Sequence, residues 1–408
     1  MKATRGIALR ASLTVLALGV LGGVIGWQRW QPGDPFRAEA VQDAPFTSLT
    51  YAYHVFLWWN PQATTHLEWT RQGNFSHVKQ IFAWEDIQPG EDLWLWERAD
   101  EILAMSEEMG VELVIRLSDA PGWAHPEIPG VKDEDYHDAP PTDLTLFGTY
   151  CGEVASRYAG RIDAYQVWNE PNLEREWGNQ PPNAADYVAL LAECSEAIRT
   201  ADPAATIISA GLSPTGNDDA MARRDDLYLQ DMYNAGFQQY VDVVGVHAPG
   251  FSDVEYGPDD AERDGQGRWA TFRRVEDLRK IMIANDDAAT QMAILEMGWT
   301  VADETHPEYS WFAVTPEKQA EQLVKAHEYI AENWRPWVGL VTTIYLADPN
   351  WTEADEQYYF AVTLPSLATR QAYFDLQNMA KYCGDRVIPA RDPGSPEALG
   401  LVPTDPCD

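Results

Sequence analysis

The sequence predicts an α/β fold, a (β/α)8 TIM barrel preceded by an N-terminal hydrophobic segment, and three observations carry that reading. Eight short apolar runs rich in β-branched residues recur between residues 51 and 346, each followed by a stretch of helical periodicity. The first run ends in Trp58-Trp59-Asn60-Pro61, quite unlike the glycine-rich turn that follows the first strand of an open doubly wound sheet. Two runs lead into glutamates, Glu170 and Glu296, and the C-terminal tips of barrel strands are where this fold collects its chemistry. The length of 408 residues suits one such barrel, and a hydrophobic content of 45% is enough to fill its core.

Taken in order, residues 1–30 read as a targeting segment. Lys2, Arg5 and Arg10 precede an apolar run at 11–27, which is bounded by Gln28-Arg29. That run is near the lower limit for spanning a bilayer, and no small-residue cleavage pattern follows closely. The expectation is an uncleaved signal anchor with its N-terminus inside; a cleaved signal peptide is the alternative. Either places the rest of the chain outside the cytoplasm. Residues 31–48 carry prolines and acidic side chains and read as a linker, 49–383 as the barrel, and the Pro-rich 384–408 as a surface tail.

The strands are expected at 51–58, 77–84, 111–118, 162–168, 206–211, 241–246, 292–295 and 340–346. The helices are expected at 61–72, 92–109, 142–159, 184–200, 225–235, 269–284, 316–333 and 366–382. Gly110 stands where a helix closes on a left-handed residue. Thr315-Pro316 supplies an N-cap and a first-turn proline. The longest insert, 247–268 after strand six, would overhang the barrel mouth and shape access, or else form a solvated surface loop.

With 29 basic and 64 acidic residues the net charge is −35, so nucleic acid and anionic membranes are poor partners. Membrane contact is expected only through the N-terminal segment. Cys151, Cys194, Cys383 and Cys407 include no C-x-x-C pair, which disfavours zinc and thiol-redox chemistry. In an exported protein Cys151–Cys194 and Cys383–Cys407 are the candidate disulfides.

The candidate site is built from two stretches. Ala164 to Trp168 runs into Asn169-Glu170-Pro171-Asn172, and Ala293-Ile294-Leu295 delivers Glu296 before Met297-Gly298-Trp299. Two carboxylates at two strand ends of one barrel suit hydrolysis of a glycosidic bond. One carboxyl protonates the leaving oxygen and the other attacks the anomeric carbon. These stretches, V-W-N-E-P-N and I-L-E-M-G-W, resemble the acid/base and nucleophile motifs of glycoside hydrolase clan A. The nearest likeness is to its cellulase-like family 5 and β-xylosidase-like family 39, over roughly residues 50–382. The resemblance implies a retaining double displacement with Glu170 as acid/base and Glu296 as nucleophile. It also implies that Asn169 hydrogen-bonds the sugar 2-hydroxyl.

Two departures bear on the sugar rather than the reaction. His247 is followed by Ala248-Pro249, where many clan members carry a tyrosine or a second polar residue. Strand eight runs Thr343-Ile344-Tyr345-Leu346 without the usual tryptophan, and Trp351 comes late.

Further candidates surround the pair. His247 either hydrogen-bonds the nucleophile or the sugar, or is a core histidine. Arg116 either orients Glu296 or makes another barrel-interior ion pair. Trp84 is expected at the mouth, Trp299 either on sugar or in the rim, and Trp123 and Trp177 as sugar platforms or packing. The acid needs a raised pKa, for which Trp168 and Glu296 are the expected causes.

The competing class is a non-catalytic cell-surface barrel that only binds glycan. It would usually have lost one glutamate, and both are present. The eight histidines form no H-x-H or H-E-x-x-H arrangement, so no metal is expected, and no cofactor. Gly211-Leu212-Ser213-Pro214-Thr215-Gly216 misses the spacing of a serine-hydrolase elbow. The expected partner is an oligo- or polysaccharide.

Overall fold

The computed structural model describes residues 34–125, 138–302, 309–384, 386–392 and 394–395. The eight parallel strands are β1 (Thr50–His54), β2 (His77–Ala83), β3 (Glu112–Ser118), β4 (Ala164–Val167), β5 (Thr206–Ile208), β6 (Val243–Pro249), β7 (Gln291–Gly298) and β8 (Val338–Thr343). They pair in sequence order and β8 closes on β1, with Thr50 opposite Leu340 and Tyr53 opposite Thr343.

The principal helices are α1 (Ala63–Gln72), α2 (Trp84–Ile87), α3 (Glu97–Met109), α4 (Leu144–Arg157), α5 (Ala184–Ala201), α6 (Asp225–Asn234), α7 (Pro258–Arg263), α8 (Val275–Ala284), α9 (Pro316–Asn333), α10 (Glu356–Phe360) and α11 (Gln371–Asn378). The punctuation works as the residue types require. Gly110 closes α3 at φ 64°, and the Thr315 hydroxyl accepts from the Lys318 N–H at the start of α9.

Several boundaries move for identifiable reasons. The first run leaves the sheet early because the Leu57 N–H donates to the Gln80 side chain instead of continuing the ladder. Strand β7 outlasts its apolar run. Glu296, Met297 and Gly298 stay paired with His247, Ala248 and Pro249 across a register shift. The last helix is shorter than expected, and the chain then forms a two-stranded ribbon, β9 (Lys381–Cys383) and β10 (Arg386–Ile388). The insert after β6 carries α7 and is tied down. Arg268 pairs with Asp259, Glu262 and Asp277, while Lys318 and Lys325 of α9 reach Asp253 and Glu255.

Residues 34–48 correct the expectation of a linker, because they are built into the barrel. The Phe46 ring joins Ala52, Val114, Ile208 and Leu340 in a buried apolar cluster. Its backbone exchanges hydrogen bonds with the Gln291 side chain, at 3.1 and 3.0 Å. Phe36 packs on Trp337 and its carbonyl accepts from Arg279.

Helices α4 and α5 are joined by the Cys151–Cys194 disulfide. Gly148 and Gly152 let them approach closely; a Cβ on Gly148 would stand 3.0 Å from the Glu193 carbonyl oxygen. Cys407, the expected partner of Cys383, lies outside the described residues, as does the expected anchor. Among the described residues no helix is long and apolar enough to cross a membrane.

Candidate active site

Beyond β4 the backbone turns sharply. Trp168 and Glu170 both adopt positive φ, 69° and 34°. Such conformations cost of order 1–3 kcal/mol each and cluster at functional sites. Surrounding bonds hold them: the Glu170 N–H donates to the Gly211 carbonyl, and the Trp168 carbonyl accepts from Gln166. Asn172 ties the loop after β4 to the loop after β5, donating to the Ser213 and Arg223 carbonyls and accepting from the Ser213 N–H. The result delivers the Glu170 carboxylate into a cleft of about 430 Å³ over the C-terminal ends of the strands.

Glu296 reaches the same cleft from β7. Its Oε1 accepts from the Lys79 Nζ at 3.1 Å and lies 3.7 Å from His54 Nδ1. Lys79 is fully buried on β2 and also donates to the Leu295 carbonyl. Burial alone would raise the Glu296 pKa, but the Lys79 ammonium outweighs it and holds the carboxyl well below the usual carboxylate range. Burial and Lys79 push His54 well below the usual imidazole range, so it is neutral at neutral pH.

His247 joins the two carboxylates. Its Nδ1 lies 2.8 Å from Glu170 Oε1 and 3.8 Å from Glu296 Oε2. Those two oxygens are therefore no farther apart than the two distances laid end to end, 6.6 Å. Gly211 makes room for the ring, since a Cβ there would fall 2.2 Å from the His247 imidazole.

The electrostatics of Glu170 differ from the expectation of a raised pKa. Burial raises it, but the His247 hydrogen bond and the Arg175 guanidinium outweigh burial, and the carboxyl sits below its ordinary value. Arg175 approaches Glu170 Oε2 at 3.2 Å from an exposed position, 61% accessible. Trp168 does not supply the expected apolar wall: its ring packs against Phe147 and Trp177, and its N–H donates to the Glu176 carbonyl. The carboxyl that is pushed up is Glu176, to about 7, by burial and by the charge of Glu170. It accepts from Asn169 Nδ2 at 3.1 Å.

The cleft thus brings together Glu170, Glu296, Asn169, His247 and Arg116. Arg116 pairs with Asp119 at 3.5 Å and donates to Ser118 rather than to Glu296, whose partner is Lys79. The four candidate tryptophans are not among the side chains that line the cleft. Trp84 is buried against Tyr150 and donates to Gln88, while Trp123 donates to the Gln88 carbonyl. Trp177 is wedged edge-on between Trp168 and Tyr187. Trp299 lies under Gly250 and donates to the Ser252 carbonyl.

The aromatic side chains that do line the cleft include Phe56, Tyr345, Trp351, Phe251 and Phe312. Tyr345 follows a cis peptide after Ile344 and groups with Phe56 and Trp351 just beyond β8. Lys79, His54, Arg175 and Glu176 were missed by the sequence reasoning. Lys79 carried a usable signal, because a lysine in the middle of an apolar barrel strand must find an anion.

The family model described as Cellulase (glycosyl hydrolase family 5) matches residues 39–269, a span that includes Glu170 and stops short of Glu296. Solved structures share the fold. A family 39 glycoside hydrolase from the gut symbiont Bacteroides cellulosilyticus WH2 superposes with a TM-score of 0.60 at 15% identity, over 83% of this chain and 64% of that one. The GH39 enzyme from Xanthomonas axonopodis pv. citri gives 0.58 at 15% identity, over 83% and 67%. Xylanase 10B from Thermotoga maritima gives 0.53 at 15% identity, over 83% and 96%. The chain therefore spans less than two thirds of the Bacteroides enzyme. Among curated proteins, no sequence matches it.

Proposed function

The chain belongs to the cellulase family, glycosyl hydrolase family 5, within clan A of the glycoside hydrolases, and on that premise we propose that it is a retaining glycosidase of β-linked glycans. Glu296 is the nucleophile and Glu170 the acid/base. The observation that carries this reading is the single His247 nitrogen standing 2.8 Å from one carboxylate and 3.8 Å from the other. Those contacts cap the gap between the two nearest carboxylate oxygens at 6.6 Å, which accommodates the roughly 5–5.5 Å of a double displacement.

In the first step Glu296 attacks the anomeric carbon while Glu170 protonates the leaving oxygen. Lys79 keeps Glu296 ionised until it attacks. Once the ester forms, that negative charge is gone, and Glu170 takes a proton from the incoming water. The Asn169 amide is turned by its bond to Glu176, and its Oδ1, unpartnered among the described residues, is left to accept from a sugar hydroxyl. Hydrolysis of a panel of aryl β-glycosides by the wild type and by Glu170→Gln tests the acid. The variant should lose far more activity on poor leaving groups than on dinitrophenolate, which needs no proton; equal losses would count against it.

Arg175 adds a condition. Its charge favours ionised Glu170, whereas the first step requires the protonated form. A leaving group that displaces Arg175 raises the Glu170 pKa where the proton is needed. In Arg175→Gln that cation is absent, so the acid should stay protonated to higher pH. The basic limb of the kcat/KM profile should move upward, and an unmoved limb would remove Arg175 from the mechanism.

We propose an extracytoplasmic location for the barrel, with residues 1–30 as a signal anchor or a cleaved signal peptide. The Cys151–Cys194 disulfide supports an oxidising compartment.

A further inference from the structure

The loop after β4 carries a second carboxyl beside Glu170, and one arginine stands between the two. Arg175 Nη2 lies 3.2 Å from Glu170 Oε2, and Arg175 Nε lies 3.7 Å from Glu176 Oε1. The first contact is a charge-assisted hydrogen bond; the second is too long for one and is an attraction between charges. Both carboxylates are largely buried, while the guanidinium is exposed, so turning it from one to the other needs no repacking of the core.

The other charges around the pair are engaged elsewhere or have the wrong sign. Arg116 of β3 acts on Glu176, but it pairs with Asp119 at 3.5 Å and donates to Ser118. Asp119 and Asp138 line the same recess as Glu176 and add negative charge. Glu170 faces His247 of β6 and, across that ring, Glu296 of β7; Glu356 of α10 acts on Arg175. Two neighbouring carboxylates with one cation between them do not both ionise readily. Burial and the charge of Glu170 accordingly push the Glu176 carboxyl up to about 7, whereas Glu170, against the effect of burial, is held down by His247 and Arg175. In this arrangement the proton sits on Glu176, and the first catalytic step needs it on Glu170.

We infer that Glu170 and Glu176 share a single proton and that Arg175, by turning from one carboxylate to the other, decides which of them holds it. Glu176 is then a positioning residue for the acid. The inference deepens the retaining-glycosidase reading and rests on it. As the leaving group enters, Arg175 turns to Glu176, which ionises, and the proton passes to Glu170. The Glu170 O–H bond breaks as that proton goes to the leaving oxygen. In the second step Glu170 gains a proton from the attacking water, and it returns to Glu176 when Arg175 turns back. One proton leaves the pair and one comes back, so water is the only co-reactant. Asn169 Nδ2 stays on Glu176 Oε2 at 3.1 Å, so the exchange falls on Oε1.

The first test needs no substrate. It is an NMR titration of protein labelled with carbon-13 at the glutamate carboxyls. A carboxyl titrating at about 7 should be present in the wild type and absent from both Glu176→Gln and Glu170→Gln, because neither holds the proton there without the charge of the other. Its survival in Glu170→Gln, or its absence from the wild type, would overturn the inference. The second test is the pH profile of kcat/KM on p-nitrophenyl β-glucoside, β-xyloside and β-mannoside. Glu176→Gln keeps an oxygen for the Asn169 amide, yet the basic limb should fall by about one pH unit or more, opposite in direction to Arg175→Gln. Glu176→Asp should bring the limb most of the way back, and thermal unfolding checks that each variant is folded. An unmoved limb, with activity lowered equally at every pH, would reduce Glu176 to a structural support and overturn the inference. The catalytic reading is judged separately, by the dependence of Glu170→Gln on the leaving group; if that reading fails, the titration still decides whether the proton is shared.

Discussion

Glu296→Gln is expected to lower turnover of an aryl β-glycoside by on the order of 10³-fold or more. The substitution keeps the shape of the side chain and an oxygen that accepts from Lys79, but it takes the counter-charge from that buried ammonium, so thermal unfolding must show the variant folded before rates are compared. What it removes is the negative oxygen that forms the bond to the anomeric carbon. Glu170 is occupied by His247 and Arg175, and Glu176 accepts from Asn169. The loss should appear in kcat far more than in KM, because the amide still fills the space beneath the sugar. A rate within tenfold of the wild type would mean that Glu296 is only an ion-pair partner.

Lys79→Met is expected to have the next largest effect, on stability as well as activity. Removing one partner of a buried ion pair leaves the other charge uncompensated, at a cost of roughly 3–5 kcal/mol. Glu296 retains His54 and His247 nearby, but His54 is neutral at neutral pH. The sign with pH follows. A carboxyl whose folded pKa is depressed stabilises the fold above its unfolded pKa, and that contribution is lost as pH falls through the folded value. With Lys79 gone the folded pKa of Glu296 rises. The deficit should therefore be largest at neutral pH and shrink on acidification as the carboxyl protonates. Urea unfolding at neutral and mildly acidic pH reads this directly, and the acid limb of kcat/KM should move upward in parallel. A pH-independent deficit would indicate lost packing alone.

Much of this was legible in the residues because it depends on local pattern. The eight-fold alternation follows from apolar runs that strands bury and amphipathic stretches that helices present, and caps such as Gly110 and Thr315 act within one turn. Glu170 stood out because an apolar run ended in Asn-Glu-Pro, and the positive φ values there show how sharply the chain leaves the strand. What was not legible depends on which distant atom answers a polar group. The N–H groups of Trp84, Trp123 and Trp299 are satisfied by Gln88 or Ser252, partners that no local pattern announces. Arg116 and Lys79 both point into the barrel, and only the closure of the sheet decides which one meets Glu296. Arg175 and Glu176 read as ordinary surface charges until the loop after β4 folds back over the cleft. Phe46, in a segment with the composition of a linker, is recruited by Gln291, 245 residues further along the chain.

The most direct measurement of the central claim is mass spectrometry of the protein after reaction with 2-deoxy-2-fluoro-β-glycosyl fluorides of glucose, xylose and mannose. The fluorine slows breakdown of a glycosyl-enzyme more than the activated leaving group slows its formation, so a covalent intermediate accumulates. One sugar should remain attached to the wild-type protein, on the peptide that carries Glu296, and none to Glu296→Gln. A label on another residue, or turnover of these sugars with inversion and no adduct, would contradict the double displacement assigned to Glu296 and Glu170.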